Sequence, residues 1–119
     1  MKIFRFDASV GRSIDSFGSE NFVLAQIVQL CPAAQVSCAY LGAQGKVGYH
    51  PAAAQQLFLV LQGTGRVRGE TSERVPIHVG YAAFWEKGEG HEIDTDLGIL
   101  AIVIEAESID PAEFMTPVA

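Results

Sequence analysis

The segment VGYHPAAAQQLFLVLQGTG, residues 47 to 65, decides how this chain folds. It contains one histidine, two adjacent glutamines and the apolar run LFLVL, and it ends at a Gly-Thr-Gly turn. Short apolar runs that end at glycine are typical of β-strands. Three kinds of group could lie opposite His50: a metal ion, a small organic ligand, or packed side chains.

Similar apolar runs recur along the whole chain, and none shows the 3.6-residue periodicity of a helix. We predict strands over 2–6, 22–30, 35–42, 47–50, 56–62, 65–69, 74–79, 82–86, 90–93 and 99–106. Glycine and short polar residues predict turns at 42–45, 63–65, 70–73, 80, 88–90 and 94–98. Many short strands at this spacing indicate an all-β barrel or sandwich.

Two of the predicted strands, 56–62 and 99–106, are apolar on both faces, whereas a strand of a one-sided sheet alternates. We expect one face to line a barrel and the other to be covered by a second sheet or a partner subunit. Near the C-terminus, Asp110 as N-cap, Pro111 at the first helical position and Glu113 at the third predict a short helix. Residues 8–21 are expected to form a loop or a short helical turn, and they are a candidate lid.

Length and composition favour one ordered domain, because 119 residues with 49% hydrophobic and 18% charged residues can bury a single core. The net charge of −6 argues against nucleic acid and anionic membranes, which need a basic face, and leaves a small molecule or another protein. The N-terminus lacks the apolar core of a signal peptide and no run could span a membrane, which predicts a cytoplasmic protein. Cys31 and Cys38 fit neither a CxxC pair nor a zinc motif, so we expect reduced core thiols.

Two patterns of glycine and histidine resemble the two sequence motifs of the cupin superfamily. The first runs through Gly42, Gly48, His50, Gln56 and Gly63, separated by five, one, five and six residues. The second runs through Gly80, Glu86, Gly88, His91 and Thr95, separated by five, one, two and three residues. The chain is therefore similar to small single-domain cupins. The resemblance implies a double-stranded β-helix, also called a jelly-roll barrel, over residues 1–119, with the barrel core at about 35–106 and a ligand site inside.

The departures from the motifs bear on metal binding. Metal-binding cupins hold the ion with two histidines and a glutamate of the first motif and one histidine of the second. Gly48 and Gln56 stand at two of these positions, so the resemblance implies a weakened site of His50, Gln56 and His91 for a divalent metal such as Zn, Ni, Fe or Mn. The six-residue interval to Gly63 favours Gln56 over Gln55. Because Gly48 and His50 share strand parity, we expect a vacant space beside His50.

Aromatic residues and one acid complete the candidate ligand site. Four large side chains lie on predicted strands, and one or two of them are expected to line the cavity: Tyr40, Phe58, Phe84 and Trp85. Glu86 replaces the proline of the second motif, and near the barrel mouth its carboxylate would raise an imidazole pKa or supply a ligand oxygen. Arg66 and Arg68 are expected to form surface ion pairs, and His78 to lie on the surface.

These observations leave three hypotheses. The first is a small-molecule-binding cupin in which His50, Gln56 and His91 hydrogen-bond an organic ligand inside an apolar barrel. The second is a metal-dependent enzyme, of oxygenase or isomerase type, with the same residues as ligands. The third makes the doubly apolar strands the interface of a homodimer, which is compatible with the other two. The loss of the family's only charged ligand favours the binder, and no nucleophile triad or phosphate-binding loop is recognisable.

Overall fold

The computed structural model describes residues 4–5, 8–30 and 34–118, with residues 28–30 described by their backbone alone. Two 3₁₀ turns, Ala8–Val10 and Ser16–Gly18, lie near the N-terminus. The strands are β1 Arg12–Ser13, β2 Glu20–Leu30, β3 Ala34–Pro51, β4 Gln55–Arg68, β5 Val75–His78, β6 Ala82–Trp85, β7 Gly90–Asp94 and β8 Ile99–Ala106. The all-β prediction is confirmed, and β8 has the bounds predicted for it.

The long strands β3 and β4 organise the barrel because each changes partners along its length. The first part of β3 pairs with β2 and β8, and its last part pairs with β7. In the same way, the first part of β4 pairs with β6 and β8, and its last part with β5 and β7. Each long strand therefore belongs to two antiparallel sheets that share one interior. This is the predicted double-stranded β-helix.

The prediction that strands end at 42–45 and 63–65 is wrong, because the chain bends there without ending a strand. Gly63 shows the reason: its φ is +85°, and a Cβ at this position would overlap the carbonyl oxygen of Gly98. Glycine is the residue that tolerates both conditions. The bend lets β4 leave β8 and continue along β5 and β7, so pairing resumes on new partners.

The core fills the shared interior with alternate residues of the strands. In β8, Ile99, Ala101 and Val103 are buried, whereas the residues between them are partly exposed. One apolar face therefore lines the barrel, as predicted. Cys38 is buried on the opposite face of β3, where burial raises the pKa of its thiol and a hydrogen bond with Tyr40 opposes that effect. Cys31 lies outside the described residues.

Both chain ends differ from the prediction. No helix follows Asp110: its carboxylate accepts a hydrogen bond from the Ala112 amide at 3.1 Å, but residues 111–114 form only a turn. A helix of one turn gains too few hydrogen bonds to offset its nucleation cost, and Pro117 prevents it from growing. Within the strand predicted over 2–6, Phe4 and Arg5 are not in a strand, and the rest lies outside the described residues.

The described part of the chain contains no helix long and apolar enough to cross a membrane.

Candidate functional site

The barrel contains a cavity of about 160 Å³ that is partly open to solvent. Its wall is mainly apolar, with the side chains Ile14, Phe17, Phe22, Leu24, Ala39, Val47, Phe58, Ile93 and Val103, and its polar members are Ser19, His50, Gln56 and Glu105. A cavity of about 150 Å³ is large enough for a benzene molecule. We call this space the barrel cavity. Its size and wall fit a small single-ring molecule held by a few polar groups.

His50 and His91 lie opposite each other in the ladder between β3 and β7. Their ring centroids are 4.5 Å apart, Phe17 stacks on the far side of His50, and Trp85 stacks on the far side of His91, each at 4.6 Å. The four rings form one row that passes from the surface into the barrel. The row fixes the planes of the two imidazoles, since each is packed between two other rings.

His91 is the inner histidine and is completely buried. Its Nδ1 donates to the Glu89 carbonyl oxygen at 3.4 Å, and its Nε2 has no hydrogen-bond partner within the described residues. Burial, with a smaller contribution from the charge of His50, lowers the pKa of His91 to about 4. The ring is therefore neutral at physiological pH. It lies behind His50 and is not part of the cavity wall.

His50, unlike His91, lines the cavity. Its Nδ1 donates to the carbonyl oxygen of Gly48 at 2.7 Å. In the neutral ring this fixes the proton on Nδ1 and leaves Nε2 as a hydrogen-bond acceptor. The ring thus offers a ligand an acceptor in a fixed plane.

Gln56 and Glu105 form the second polar part of the wall, as opposed residues of β4 and β8. Gln56 is buried and Glu105 half-buried. Burial raises the pKa of the Glu105 carboxyl, and the charge of His50 opposes this change. Within the described chain the Glu105 carboxyl has no hydrogen bond or ion pair. Glu105 is not among the site residues predicted from the sequence.

The space expected beside His50 is not vacant. A Cβ on Gly48 would overlap the carbonyl oxygen of Phe17, and the Gly48 amide donates to Ser19 Oγ at 3.0 Å. The turn Ser16–Gly18 therefore occupies the place of the first motif's histidine, and the ring of Phe17 covers His50. Segment 8–21 does form helical turns, and it closes one side of the cavity through Ile14, Phe17 and Ser19.

Phe58 and Gln56 line the cavity, and Trp85 packs below His91, but three other candidates lie elsewhere. Tyr40 shares strand parity with Cys38 and faces away from the barrel. Phe84 and Glu86 flank the inward-facing Trp85, so alternation places both on the opposite face. Phe84 lines an external groove of about 660 Å³ beside the C-terminal segment, and Glu86 accepts a hydrogen bond from Gln55 at 2.9 Å.

The remaining polar residues of the motifs and hairpins are structural. Arg66 pairs with Asp94 and with Asp96 at the surface, as predicted, whereas the pair of Arg68 and Glu92, at 3.3 Å, is largely buried and not on the surface. His78 is exposed, as expected. Thr95, at the last position of the second motif, donates to the Thr64 carbonyl oxygen at 2.7 Å and accepts from the Gly98 amide.

The residues present do not fit the metal centre that the motifs imply. The unpaired Nε2 of His91 resembles one ligand atom, but the next position is blocked by Phe17 and the carboxylate is replaced by the amide of Gln56. Among the described residues, no three His, Cys, Asp or Glu side chains are grouped so that they could hold an ion. His50, His91 and Glu105 surround one region of the barrel without forming such a group.

The solved structures that resemble this chain are cupins and proteins named for several activities. A cupin 2 conserved barrel domain protein from Salinispora arenicola CNS-205 aligns over 91% of this chain and 90% of its own, with a TM-score of 0.71 and 13% identity. A predicted oxalate decarboxylase from Thermotoga maritima aligns over 87% and 99%, with a TM-score of 0.71 and 20% identity. The polyketide cyclase RemF from Streptomyces resistomycificus aligns over 90% and 81%, with a TM-score of 0.70 and 14% identity.

No protein-family model and no curated protein sequence matches the chain. Similarity at these identities concerns the backbone, and proteins with this fold carry out different functions. The strand topology, the two motif histidines on β3 and β7, and the aligned structures agree with one another. The chain therefore has the fold of the small single-domain cupins, the double-stranded β-helix.

Proposed function

We propose that the protein binds a small organic molecule in the barrel cavity, in direct contact with His50 and Gln56. The observation that carries the proposal is a mainly apolar cavity inside the barrel in which a few polar side chains converge. The apolar wall supplies most of the affinity through burial, and the polar groups select the ligand by its hydrogen-bonding pattern. His91 has the different role of holding the His50 ring in place by packing against it.

Metal-dependent oxygenase or isomerase chemistry is not part of this proposal. Several aligned structures carry the names of enzymes, but the fold they share does not determine the reaction. The position of one histidine ligand is filled by the backbone of Phe17, and the family's charged ligand is an amide. Both changes act against a metal ion, and neither removes the apolar wall that an organic ligand would contact.

Variants of β8 test the binding proposal. We expect phenol, titrated at millimolar concentrations into ¹⁵N-labelled protein, to shift the amide resonances of cavity residues. Val103→Phe fills the cavity and should abolish these shifts, whereas Ile104→Phe adds the same ring on the opposite face of the strand and should leave them. His50→Ala removes the acceptor and should weaken binding about tenfold, the effect of one hydrogen bond of about 1.4 kcal/mol. If phenol shifts the amide resonances equally in Val103→Phe and in Ile104→Phe, the barrel cavity is not the binding site.

We further propose that the outer face of β3, β4 and β8 forms a homodimer interface. Leu100, Ile102 and Ile104 are only partly buried on this face. The chain exposes 7592 Å², whereas a monomer of this mass is expected to expose about 6300 Å². The difference, about 1300 Å² for one chain, exceeds the area of about 800 Å² that each partner buries in a standard interface.

The dimer proposal predicts a mass of twice 12.8 kDa by light scattering at micromolar concentrations. Ile102→Lys places a charge at the centre of this face and should give a monomer, because an unpaired charge in an interface is costly. Val79→Lys is the matched control, since Val79 is exposed outside this face, and it should remain dimeric. A wild-type monomer at 100 μM would show that the face is not self-associating.

A further inference from the structure

We propose that the ligand of the barrel cavity is a ring-sized organic cation, an amine that is protonated at neutral pH, and that Glu105 supplies its counter-charge. This inference rests on the binding function proposed above and names the chemical class of the ligand. Glu105 is the acid among the polar residues that line the cavity.

The carboxyl of Glu105 has no hydrogen bond or ion pair among the described residues, and when His50 is neutral it has no counter-charge in the cavity wall. Its neighbours across the sheet are two neutral amides, Gln35 on β3 and Gln56 on β4. The cavity wall contains no lysine or arginine among the described residues. A carboxylate removed from water without a counter-charge is costly, and the raised pKa of Glu105 reflects this cost. A cationic ligand would neutralise the charge of the carboxylate, whereas an anionic ligand would be repelled by it.

The other polar groups also complement an ammonium. His50 uses its Nδ1 proton on Gly48, so its neutral ring presents only an acceptor. An alkylammonium carries donors and no acceptor, so it would bind the imidazole nitrogen, the carboxylate and the carbonyl oxygen of Gln56, with the Gln56 NH2 group turned away from it. A neutral alcohol offers a single O–H donor and would leave two of these three acceptors without a donor from the ligand.

The apolar wall suits a cation with a hydrocarbon ring. Phe17, Phe22 and Phe58 line the cavity, and the faces of aromatic rings attract ammonium groups when water is excluded. The net charge of −6 raises the local concentration of cations around the protein and disfavours anions. The volume of about 160 Å³ limits the ligand to about one six-membered ring with a single head group.

Three probes with the same ring separate the effect of charge from that of shape. Cyclohexylammonium, cyclohexanol and cyclohexanecarboxylate are titrated into ¹⁵N-labelled protein at pH 8, where alkylamines are protonated and imidazole is neutral. We expect the cation to bind at least tenfold more tightly than the alcohol, and the carboxylate to show no binding. Glu105→Gln should reduce the preference for the cation over the alcohol to less than threefold. Glu107→Gln, an exposed acid two residues along the chain, should keep the wild-type preference.

The outcomes distinguish this inference from the proposed function. If wild type binds the alcohol as tightly as the cation, the cavity binds small molecules but the assignment of a cation is wrong. A cation preference that survives in Glu105→Gln overturns the role of Glu105. If none of the three probes shifts the resonances of cavity residues, the binding function and the ligand class both fail. The comparison of probes on wild-type protein requires no variant, so it stands even if Glu105→Gln does not fold.

Discussion

Gly48→His, which restores the first histidine of the cupin motif, is expected to lower the free energy of unfolding by about 3 kcal/mol and to create no metal site. The reason is that the Cβ of any side chain at Gly48 overlaps the carbonyl oxygen of Phe17. This oxygen belongs to backbone, which cannot rotate away as a side chain can. The turn Ser16–Gly18 must therefore leave the barrel, and with it go the stacking of Phe17 on His50 and the hydrogen bond from Gly48 to Ser19. Urea unfolding measures the loss.

Two alanine variants separate the overlap from other effects of replacing glycine. Gly48→Ala adds the Cβ alone and should show most of the loss. Gly42→Ala lies on the same strand, and its Cβ would be 3.6 Å from the Asn21 Cβ, an ordinary contact, so stability should change by less than about 1 kcal/mol. Elemental analysis of Gly48→His provides the second readout. A variant as stable as wild type that purifies with one divalent ion per chain would contradict the prediction and restore the metal hypothesis.

The strands and the first polar residues of the site could be predicted because both depend on local rules. Apolar runs separated by turn residues indicate strands, and strand parity places Gln56 and Phe58 on one face. The glycine spacing then selects Gln56 over Gln55. The structure agrees, since Gln55 binds Glu86 and the Ile109 amide outside the cavity. Where the local rule was not applied, the prediction failed: Glu86 follows the inward-facing Trp85 and must point outward.

Phe17 could not be assigned from local sequence, because its role depends on contacts with residues more than thirty positions away. Its backbone has φ of +59°, a conformation that is uncommon for a large side chain. No propensity rule predicts that a phenylalanine adopts it. The compensation comes from outside the turn, through the stack on His50 and the fit of its carbonyl against Gly48.

Glu105 is a different case, since a sequence signal was present but ambiguous. It shares parity with Ile99, Ala101 and Val103, which face the interior. However, both faces of ILAIVIEA are apolar, so the sequence alone does not show which face is inward. Only the pairing of β8 between β3 and β4 places Glu105 beside Gln56. Predicting the acid of the site therefore required the sheet register, which depends on the whole fold.

Lowering the pH from 6.5 to 4 is expected to reduce the free energy of unfolding by about 3 kcal/mol through His91 alone. In the native protein burial lowers the pKa of His91 to about 4, whereas an unfolded imidazole has a pKa of about 6.5. As the pH falls below 6.5 the unfolded state takes up a proton that the native state excludes. Stability is therefore full above pH 6.5, declines towards pH 4, and loses nothing further from this group below that value.

Comparison of variants isolates this contribution, because other groups titrate in the same range and the raised pKa of Glu105 acts in the opposite direction. His91→Phe replaces the imidazole with a ring that can stack between His50 and Trp85. Its loss of stability between pH 6.5 and 4, measured by urea unfolding, should be smaller than that of wild type by about 3 kcal/mol. His78→Gln removes an exposed histidine and should retain the wild-type loss. If the free energy of unfolding of wild type and of His91→Phe fell equally between pH 6.5 and 4, the prediction would be wrong. The native protein would then accept a proton at His91, although the ring is completely buried in the row of four rings.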